Sequence, residues 1–196
     1  MLGAVRSGIA RDNDARGWQT AKMAQGYLPQ PDADGIRRWT VASALIEQDG
    51  ALLLVHNRRR GGYSDWSTPG GVVEPGELTL AGLGREVIEE SGITVHTWSE
   101  PVYSVEAFAP QMGWQMRVET FRALTWSGQI AIDDPDGIVI DAEFVSSTAC
   151  AARLAGAAQW VREPIGEWLS DGWAELRPFR YHVEGVDRAA LTITRL

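Results

Sequence analysis

The sequence predicts an α/β protein in which helices pack on a mixed β-sheet. Strand-like runs lie on both sides of a helical segment at residues 79–91, and a second helical region follows near residues 147–170. Strands and helices arranged in this way along one chain form a sheet that helices cover. With 196 residues, of which 44% are apolar, the chain is long enough to bury one core.

Composition excludes several classes of function. The net charge is −8, so a surface that neutralises nucleic-acid phosphates is not expected. No apolar run approaches the roughly 18 residues of a membrane span, and the N-terminus lacks the apolar segment of a signal peptide. Cys150 is the only cysteine, so it cannot form an internal disulfide, and we expect a buried structural thiol. These observations predict a cytoplasmic protein without a membrane partner.

The chain divides into three parts. Residues 1–37 show no periodicity and end on the linker-like "PQPDADG", which predicts an N-terminal arm or tail. Such an arm is either disordered or packs on the domain or on a second subunit, so a homodimer is one possible state. Residues 38–170 are predicted to form the main domain, and residues 171–196 a strand extension packed on that domain.

Strands are predicted first at "WTVASALI" and "ALLLVHN", joined as a hairpin by the Asp-Gly of "EQDG". After Ile93, the runs "VYSVEAFA", "QMRVETFRALTW" and "IVIDAEFVS" predict further strands. Helices are predicted at "STACAARL" and "QWVREPIGEWL", where Pro164 is expected to kink or divide the second helix. The last 24 residues alternate well enough for one or two more strands.

The central helix has recognisable ends and an apolar stripe. Thr79 is predicted to cap its start, and Gly92 to end it in the left-handed conformation. The stripe that faces the core is predicted to consist of Leu80, Leu83, Val87 and Ile88.

Three carboxylates share another face of this helix. Glu86, Glu89 and Glu90 stand at i, i+3 and i+4, a spacing at which like charges repel. A hard divalent cation such as Mg²⁺ would reverse that repulsion, because it prefers oxygen ligands. A solvated acidic face is the alternative. Gly82 and Gly84 lie inside the helix, where each costs about 1 kcal/mol relative to alanine, and the sequence gives no reason for either.

The residues around the carboxylates form a more specific pattern. Gly71 is followed after five residues by Glu77, and after seven more by "REV", one residue, "EE", one residue and "GI". This pattern, from Gly71 to Ile93, resembles the complete signature box of the Nudix hydrolase family. The resemblance implies a Nudix-type α/β/α sandwich with a mixed β-sheet, and residues 38–170 would be the Nudix hydrolase domain.

The resemblance also implies a reaction and a set of roles. Nudix enzymes use Mg²⁺ or Mn²⁺ to cleave a nucleoside diphosphate linked to another moiety, so the implied partner is a small-molecule nucleoside diphosphate derivative. The implied metal ligands are Glu86, Glu89 and Glu90, with the Gly70 carbonyl. Glu77 and Arg85 would orient the carboxylates through an ion pair. For the base that accepts a proton from the attacking water, Glu86 is the first candidate and Glu89 the second.

Residues outside the box complete the predicted site. Arg58 and Arg59 follow a core strand, where a guanidinium can bind a substrate phosphate with two hydrogen bonds. Trp66 and Trp114 are candidates for stacking on a flat ligand.

One position departs from the family pattern. Many members carry a further glutamate in a loop after the box, and Ile138 stands near that place here. Its substitutes are sought among the acidic residues downstream of the box, which are Glu106, Glu119, Asp133, Asp134, Asp136 and Asp141.

Two other functions use the same fold. A Nudix-fold sensor would bind a nucleotide without turnover, but such sensors usually lose box acids, and all of them are present here. A diphosphate isomerase is less favoured, because no additional cysteine or histidine groups accompany the box. The sequence leaves the substrate open among an oxidised nucleoside triphosphate, an ADP-ribose-like sugar and a housekeeping substrate.

Overall fold

The structure is a computed structural model that describes residues 29–59, 62–173, 175–187 and 190–196. The predicted N-terminal arm or tail, residues 1–37, lies outside the described residues as far as residue 28. In the part that follows, Arg38 donates hydrogen bonds to Asp32 and Asp34, which ties this segment to the start of the first strand.

Strands outnumber helices in the described structure. In chain order they are β1 (Arg37–Leu45), β2 (Glu47–Gln48), β3 (Ala51–Arg58), β4 (Ser64–Ser67), β5 (Gly70–Val72), β6 (Thr94–Ala109), β7 (Trp114–Ser127), β8 (Val139–Ser146), β9 (Arg177–Glu184) and β10 (Thr192–Arg195).

The described residues also contain three α-helices, and a 3-10 turn follows each of β6 and α2. The helices are α1 (Thr79–Ser91), α2 (Ser147–Arg153) and α3 (Gln159–Asp171). Pro164 lies inside α3 and does not divide it, so the predicted division is wrong. Pro164 removes one backbone hydrogen-bond donor from the helix, and its ring is buried.

The strands form two sheets. The larger has the order β10-β9-β6-β7-β1-β5 and is mixed, because β1 pairs with β7 and β6 pairs with β9 in parallel, while the other neighbours are antiparallel. In the smaller sheet, β3 pairs antiparallel with β2, β4 and β8.

Helices cover both faces of these sheets. On one side, α1 packs through Leu83 and Val87 on a cluster that includes Ala42 and Phe121. On the other side, Trp160 and the rest of the apolar face of α3 pack on a larger cluster that the alternate residues of β1, β6, β7 and β9 supply. The predicted α/β/α sandwich with a mixed β-sheet is therefore confirmed.

The predicted hairpin between the first two strands is only partly right. Asp49 and Gly50 do turn the chain, with φ of 50° and 78°, which is the conformation of a two-residue hairpin turn. The strand before that turn is the short β2, however, and β1 belongs to the other sheet. The apolar run 39–46 contributes to both core clusters, because Leu45 packs in the larger cluster and Ile46 in the cluster under α1.

No helix in the described part of the chain is long and apolar enough to cross a membrane.

Candidate active site

Helix α1 presents the predicted carboxylates. It begins at Thr79, and its N-cap is Leu78 without a side-chain hydrogen bond, so the predicted cap by Thr79 is wrong. The C-terminal end is as predicted: Gly92 has a φ of 74° and its N–H binds the Ile88 carbonyl. A Cβ at Gly92 would also lie 2.7 Å from the Ala131 carbonyl oxygen, because the loop after β7 passes directly over this helix end.

The buried face of α1 differs from the predicted stripe. Leu83 and Val87 are fully buried, but Leu80 is 39% and Ile88 46% exposed. The side of the helix that turns toward the sheets carries Glu86 and Glu90 beside the two apolar residues. Two ionisable groups thus occupy positions where a purely structural helix would place leucine or valine.

Arg85 connects the acidic residues. Its Nη1 donates to Glu86 Oε1 at 2.7 Å and to Glu89 Oε2 at 3.2 Å, while Nε and Nη2 each lie 3.3 Å from the Glu77 carboxylate. Burial by itself would lower the pKa of Arg85, but the hydrogen bonds that it donates to Glu77 and Glu86 raise the pKa above its usual value. This guanidinium is therefore a permanent cation that restrains three carboxylates.

Two glycines make room for carboxylates. A Cβ at Gly71 would lie 2.6 Å from Glu86 Cδ, and a Cβ at Gly82 would lie 2.7 Å from Glu77 Oε2. Both distances are too short for any side chain, so Glu86 rests on the β5 backbone and Glu77 on the α1 backbone. Gly82 is explained in this way, whereas nothing in the structure explains Gly84, whose Cβ would meet no atom within 4 Å.

Glu90 is the most enclosed acid of the site. Its Oε2 accepts a hydrogen bond of 2.8 Å from the Gly70 N–H. Burial raises the pKa of Glu90 well above its usual value, and the charges of Glu86 and Asp134 add to this, while Gly70 and Arg59 offset it in part. The predicted role of Gly70 concerns its carbonyl oxygen, which stays a prediction.

The donor set fits a hard divalent cation. Glu86 and Glu90 place carboxylate oxygens in one enclosed region, and the charge gathered there has only partial compensation from the protein. As the side chains stand, no three acidic, histidine or cysteine side chains in the described residues are gathered to hold an ion. Glu89 accepts a hydrogen bond from Arg85 instead. A cation bound by all three glutamates would therefore require Glu89 to give up this contact with Arg85.

These acids border a cavity of about 350 Å³ that lies between the two sheets. Its acidic part includes Glu86, Glu90 and Asp134. Its apolar part is bordered by alternate residues of β6 and β7, by α3, by β10 and by the residue just before β10; among them are Val105, Met116, Val118, Trp160, Ile165, Leu191 and Ile193. A size of a few hundred Å³ and a mixture of apolar walls with a few polar groups are typical of small-molecule sites.

The two predicted arginines have different positions. Arg59 borders the cavity and forms a salt bridge of 2.8 Å with Asp65, in which both side chains are largely buried. Burial raises the pKa of Asp65, and the Arg59 charge opposes that rise. Arg58 is exposed, donates to the Gly137 carbonyl and does not border the cavity.

The two predicted tryptophans also differ. Trp66 borders the cavity, but its ring stacks on His56 at 4.6 Å, and the Arg153 guanidinium lies 4.9 Å from its centroid. Trp114 packs against Trp39 and Trp160 in the core and does not border the cavity.

The loop that departs from the family pattern lies beside Glu90. Ile138, Asp134 and Asp136 border the cavity. The Asp134 carboxylate accepts hydrogen bonds from the backbone N–H groups of residues 136, 138 and 139, so it also shapes its own loop. The other four acids considered at this place do not border the cavity, namely Glu106, Glu119, Asp133 and Asp141.

Several residues of the cavity were not anticipated. Thr120 and Tyr103 lie opposite each other on β7 and β6, and both border it. Alternation along β7 gives a signal, because residues 116, 118 and 120 must share a face. The contribution of β10 has no local signal, because it depends on the pairing of β9 with β6.

Comparisons with solved structures agree with this architecture. The fold is similar to that of the MutT protein of Bacillus halodurans, with a TM-score of 0.56 and 21% identity over 79% of this chain and 97% of that one. It is also similar to the ORF135 protein of E. coli, with a TM-score of 0.56 and 23% identity over 69% and 91% of the two chains.

Sequence comparison gives relatives of the same kind. A MutT-like protein of Streptomyces ambofaciens is 38% identical over 72 residues, which are 35% of this chain and 45% of that protein. The 8-oxo-dGDP phosphatase NUDT18 of Homo sapiens is 33% identical over 37% of this chain and 22% of its own length. An oxidized purine nucleoside triphosphate hydrolase of Danio rerio is 34% identical over 46% of this chain and 57% of its own length.

These three matches span between 22% and 57% of the relatives' own lengths. The match to the family is broader, because residues 36–169 fit the model of the NUDIX domain, and this range contains α1, its carboxylates and most of the cavity. The chain belongs to the NUDIX family.

Proposed function

We propose that this protein is a metal-dependent diphosphohydrolase. It would cleave the diphosphate bond of a nucleoside diphosphate linked to another moiety, by attack of water at phosphorus. The observation that carries the proposal is the position of Glu90, buried beside Glu86 in the wall of a cavity that is large enough for a small molecule. Enclosed like charges of this kind are typical of a site that binds a cation.

The metal ligands would be Glu86, Glu89 and Glu90, together with the Gly70 carbonyl, and the ion Mg²⁺ or Mn²⁺. When bound, such an ion neutralises diphosphate charge and orients the attacking water. Glu90 is held in place by the Gly70 N–H, and Glu86 by the β5 backbone and Arg85. These contacts fix two carboxylates before the substrate arrives.

Arg85 and Glu77 act as positioning residues in this proposal. The guanidinium bridges Glu77 to Glu86 and Glu89, so it sets the distance between the loop before α1 and the carboxylates on the helix. Glu86 is the first candidate to accept the proton from water, and Glu89 the second. Glu89 is the more exposed of the two, with 27% of its side chain accessible against 11% for Glu86.

Substrate binding is assigned to Arg59 and Trp66 in the cavity wall. Arg59 forms a salt bridge with Asp65, and its charge opposes the rise in the pKa of Glu90, which supports a role with a nearby phosphate. Arg58 is exposed and outside the cavity, so a role for it would require contact with a part of the substrate that extends to the surface.

The test is a panel of nucleoside diphosphate derivatives incubated with the protein and Mg²⁺, with released phosphate or monophosphate measured. Two relatives are named for 8-oxo-dGDP and for oxidized purine nucleoside triphosphates, so these compounds and ADP-ribose head the panel. We expect turnover that EDTA removes and that excess Mg²⁺ or Mn²⁺ restores. Tight binding without turnover would favour a nucleotide sensor and would contradict the proposal.

A further inference from the structure

The hairpin of β3 and β4 carries a row of polar side chains along the cavity. Asn57 and Asp65 are direct partners across the two strands; Ser67 follows Asp65 by two residues, and Arg59 follows Asn57 by two. All four residues border the cavity. Asn57 is 3% and Asp65 8% exposed, and at such buried positions a purely structural hairpin would place apolar side chains.

Hydrogen bonds join this polar row into a chain. Asn57 Nδ2 donates to Ser67 Oγ at 2.9 Å, and the Asn57 side chain is also hydrogen-bonded to the Asp65 carboxylate. The same carboxylate accepts the Nε–H of Arg59 at 2.8 Å. Asp65 is therefore held by Asn57 on one side while it holds Arg59 on the other, and a buried polar network that is satisfied in this way is rigid.

Arg59 is restrained at its backbone as well as at its side chain. Its N–H donates to the Tyr63 carbonyl at 2.9 Å, and 12% of its side chain is accessible. The bond to Asp65 uses the Nε–H, and a guanidinium has further N–H donors on its two terminal nitrogens. The Arg59 charge also opposes the rise that burial produces in the pKa of Glu90. The guanidinium is thus held within electrostatic range of the acidic part of the cavity.

The negative charge of Asp65 works against the binding of an anion. The cavity already contains Glu86, Glu90 and Asp134, and the proposed substrate adds the charge of its phosphates. A carboxylate 2.8 Å from Arg59 offsets much of the positive potential that a phosphate would meet there. Electrostatic attraction therefore gives no reason for an acid at this position beside a phosphate site.

The orientation of Arg59 does give a reason. An arginine side chain has many rotamers, and binding a ligand with an unrestrained guanidinium loses that freedom. Asp65 orders the guanidinium before a ligand arrives, so this loss of entropy occurs on folding and not on binding. A planar guanidinium also binds two phosphate oxygens only when its plane is correctly turned, and the contact at Nε restrains that plane.

We propose that Asp65 is a positioning residue for phosphate binding. It holds Nε of Arg59, so that the terminal nitrogens of the guanidinium are oriented to donate two hydrogen bonds to one phosphate group. This inference rests on the proposed function for the identity of the anion. It adds to the site a residue of β4, which lies outside the signature box from Gly71 to Ile93.

Two substitutions separate the position of the guanidinium from the charge beside it. Asp65→Asn keeps the shape of the side chain and removes the negative charge, whereas Asp65→Glu keeps the charge and moves the carboxylate by one methylene group. Methylenediphosphonate, a diphosphate analogue that water does not cleave, is titrated calorimetrically into the full chain with Mg²⁺. We expect both variants to bind it about fivefold to tenfold more weakly than the wild-type protein.

The direction of the change in Asp65→Asn is the informative result. If Asp65 contributed charge alone, its removal would strengthen the binding of the analogue. An affinity equal to or higher than that of the wild type would therefore overturn the inference. Asp171→Asn removes an exposed carboxylate beside Arg177 and is the matched control, which should bind like the wild type. Circular dichroism melts check folding; should Asp65→Asn not fold, wild-type affinity in Asp65→Glu would overturn the inference instead.

A double-mutant cycle with Arg59→Lys shows whether Asp65 acts through Arg59. Lysine has no planar fork to orient, so Asp65→Asn should no longer weaken binding of the analogue in the Arg59→Lys background. The same loss of affinity in both backgrounds would mean that Asp65 supports the fold and does not position the guanidinium.

Failure of this inference and failure of the proposed function give different results. If Asp65→Asn weakens binding only when Arg59 is present, and no compound in the hydrolysis panel is turned over, the inference holds and the hydrolase assignment fails. If compounds are hydrolysed while Asp65→Asn binds the analogue as tightly as the wild type, the proposed function stands and the inference is overturned.

Discussion

The Glu86 carboxylate rests on the Cα of Gly71, so that a Cβ at Gly71 would lie 2.6 Å from Glu86 Cδ. Gly71 belongs to β5, which pairs with β1, and Glu86 belongs to α1. This contact joins the sheet to the helix at the point where the reaction is proposed to occur. It also explains why the position that begins the signature box has no side chain.

Replacing Gly71 by alanine should impair the reaction more than the fold. The added methyl group displaces the Glu86 carboxylate, and displacement of a catalytic group by about 1 Å can lower a rate roughly 100-fold. We expect Gly71→Ala to lower kcat by about 10- to 100-fold in a steady-state assay with Mg²⁺. Gly166→Ala is the control, because a Cβ there meets nothing within 4 Å. A kcat equal to that of the control would show that the position of Glu86 does not matter.

Gly82 and Gly84 give a matched pair on one helix. Gly84→Ala should stabilise the protein by about 1 kcal/mol, because alanine is the better helix former and the space is open. Gly82→Ala meets the Glu77 carboxylate at 2.7 Å, so it should lose that gain and also lower kcat by disturbing Glu77 and Arg85. Thermal melts and kcat measured together check this, and equal melting temperatures for the two variants would contradict it.

A divalent cation should stabilise the folded protein. At a concentration about 100 times Kd, a ligand that binds only the folded state adds about 2.7 kcal/mol. For a chain of this size, that corresponds to a rise in Tm of roughly 5–10 °C. Glu90→Gln should remove most of this rise in Tm. The metal-free variant should be at least as stable as the metal-free wild type, because the substitution removes a buried carboxylate whose charge the protein compensates only in part.

Differential scanning calorimetry with EDTA, Mg²⁺ and Ca²⁺ measures this effect. A wild-type Tm that does not change with Mg²⁺ up to millimolar concentrations would contradict the assignment of a metal site to α1.

Arg59 and Arg58 allow a comparison of adjacent residues. Arg59→Lys keeps the charge but loses the planar guanidinium, so we expect KM to rise about tenfold with little change in kcat. Arg58→Lys should leave both constants within about twofold of the wild type, because Arg58 is exposed and outside the cavity. The reverse order of effects would assign the substrate phosphate to Arg58.

The sequence predicts the parts of the site that depend on neighbours along the chain. Spacing along one helix places Glu86, Glu89 and Glu90 on a common surface, and Gly92 ends that helix as expected. The layers of the fold follow from the order of strands and helices. Each of these is a local property, or a periodicity that backbone geometry imposes.

What the sequence does not predict depends on contacts between distant segments. Whether Arg58 or Arg59 faces the cavity depends on how β3 pairs with β4 and β8. The pairing of β3 with β8 shifts register between His56 and Asn57. Gly82 is explained only by the Glu77 side chain, which reaches it through space. The wall formed by Leu191 and Ile193 requires β9 to pair in parallel with β6, about 75 residues earlier along the chain.

The central claim is that the glutamates of α1 carry out metal-dependent hydrolysis, and single substitutions test it most directly. The kcat of Glu86→Gln and Glu89→Gln is measured with saturating Mg²⁺ on the best substrate of the panel. The control is Glu143→Gln, because Glu143 is half-exposed and does not border the cavity. Each α1 substitution should lower kcat at least ~100-fold, the scale expected for loss of a metal-binding or proton-accepting carboxylate. Activities of both variants within a few fold of wild type would contradict the account.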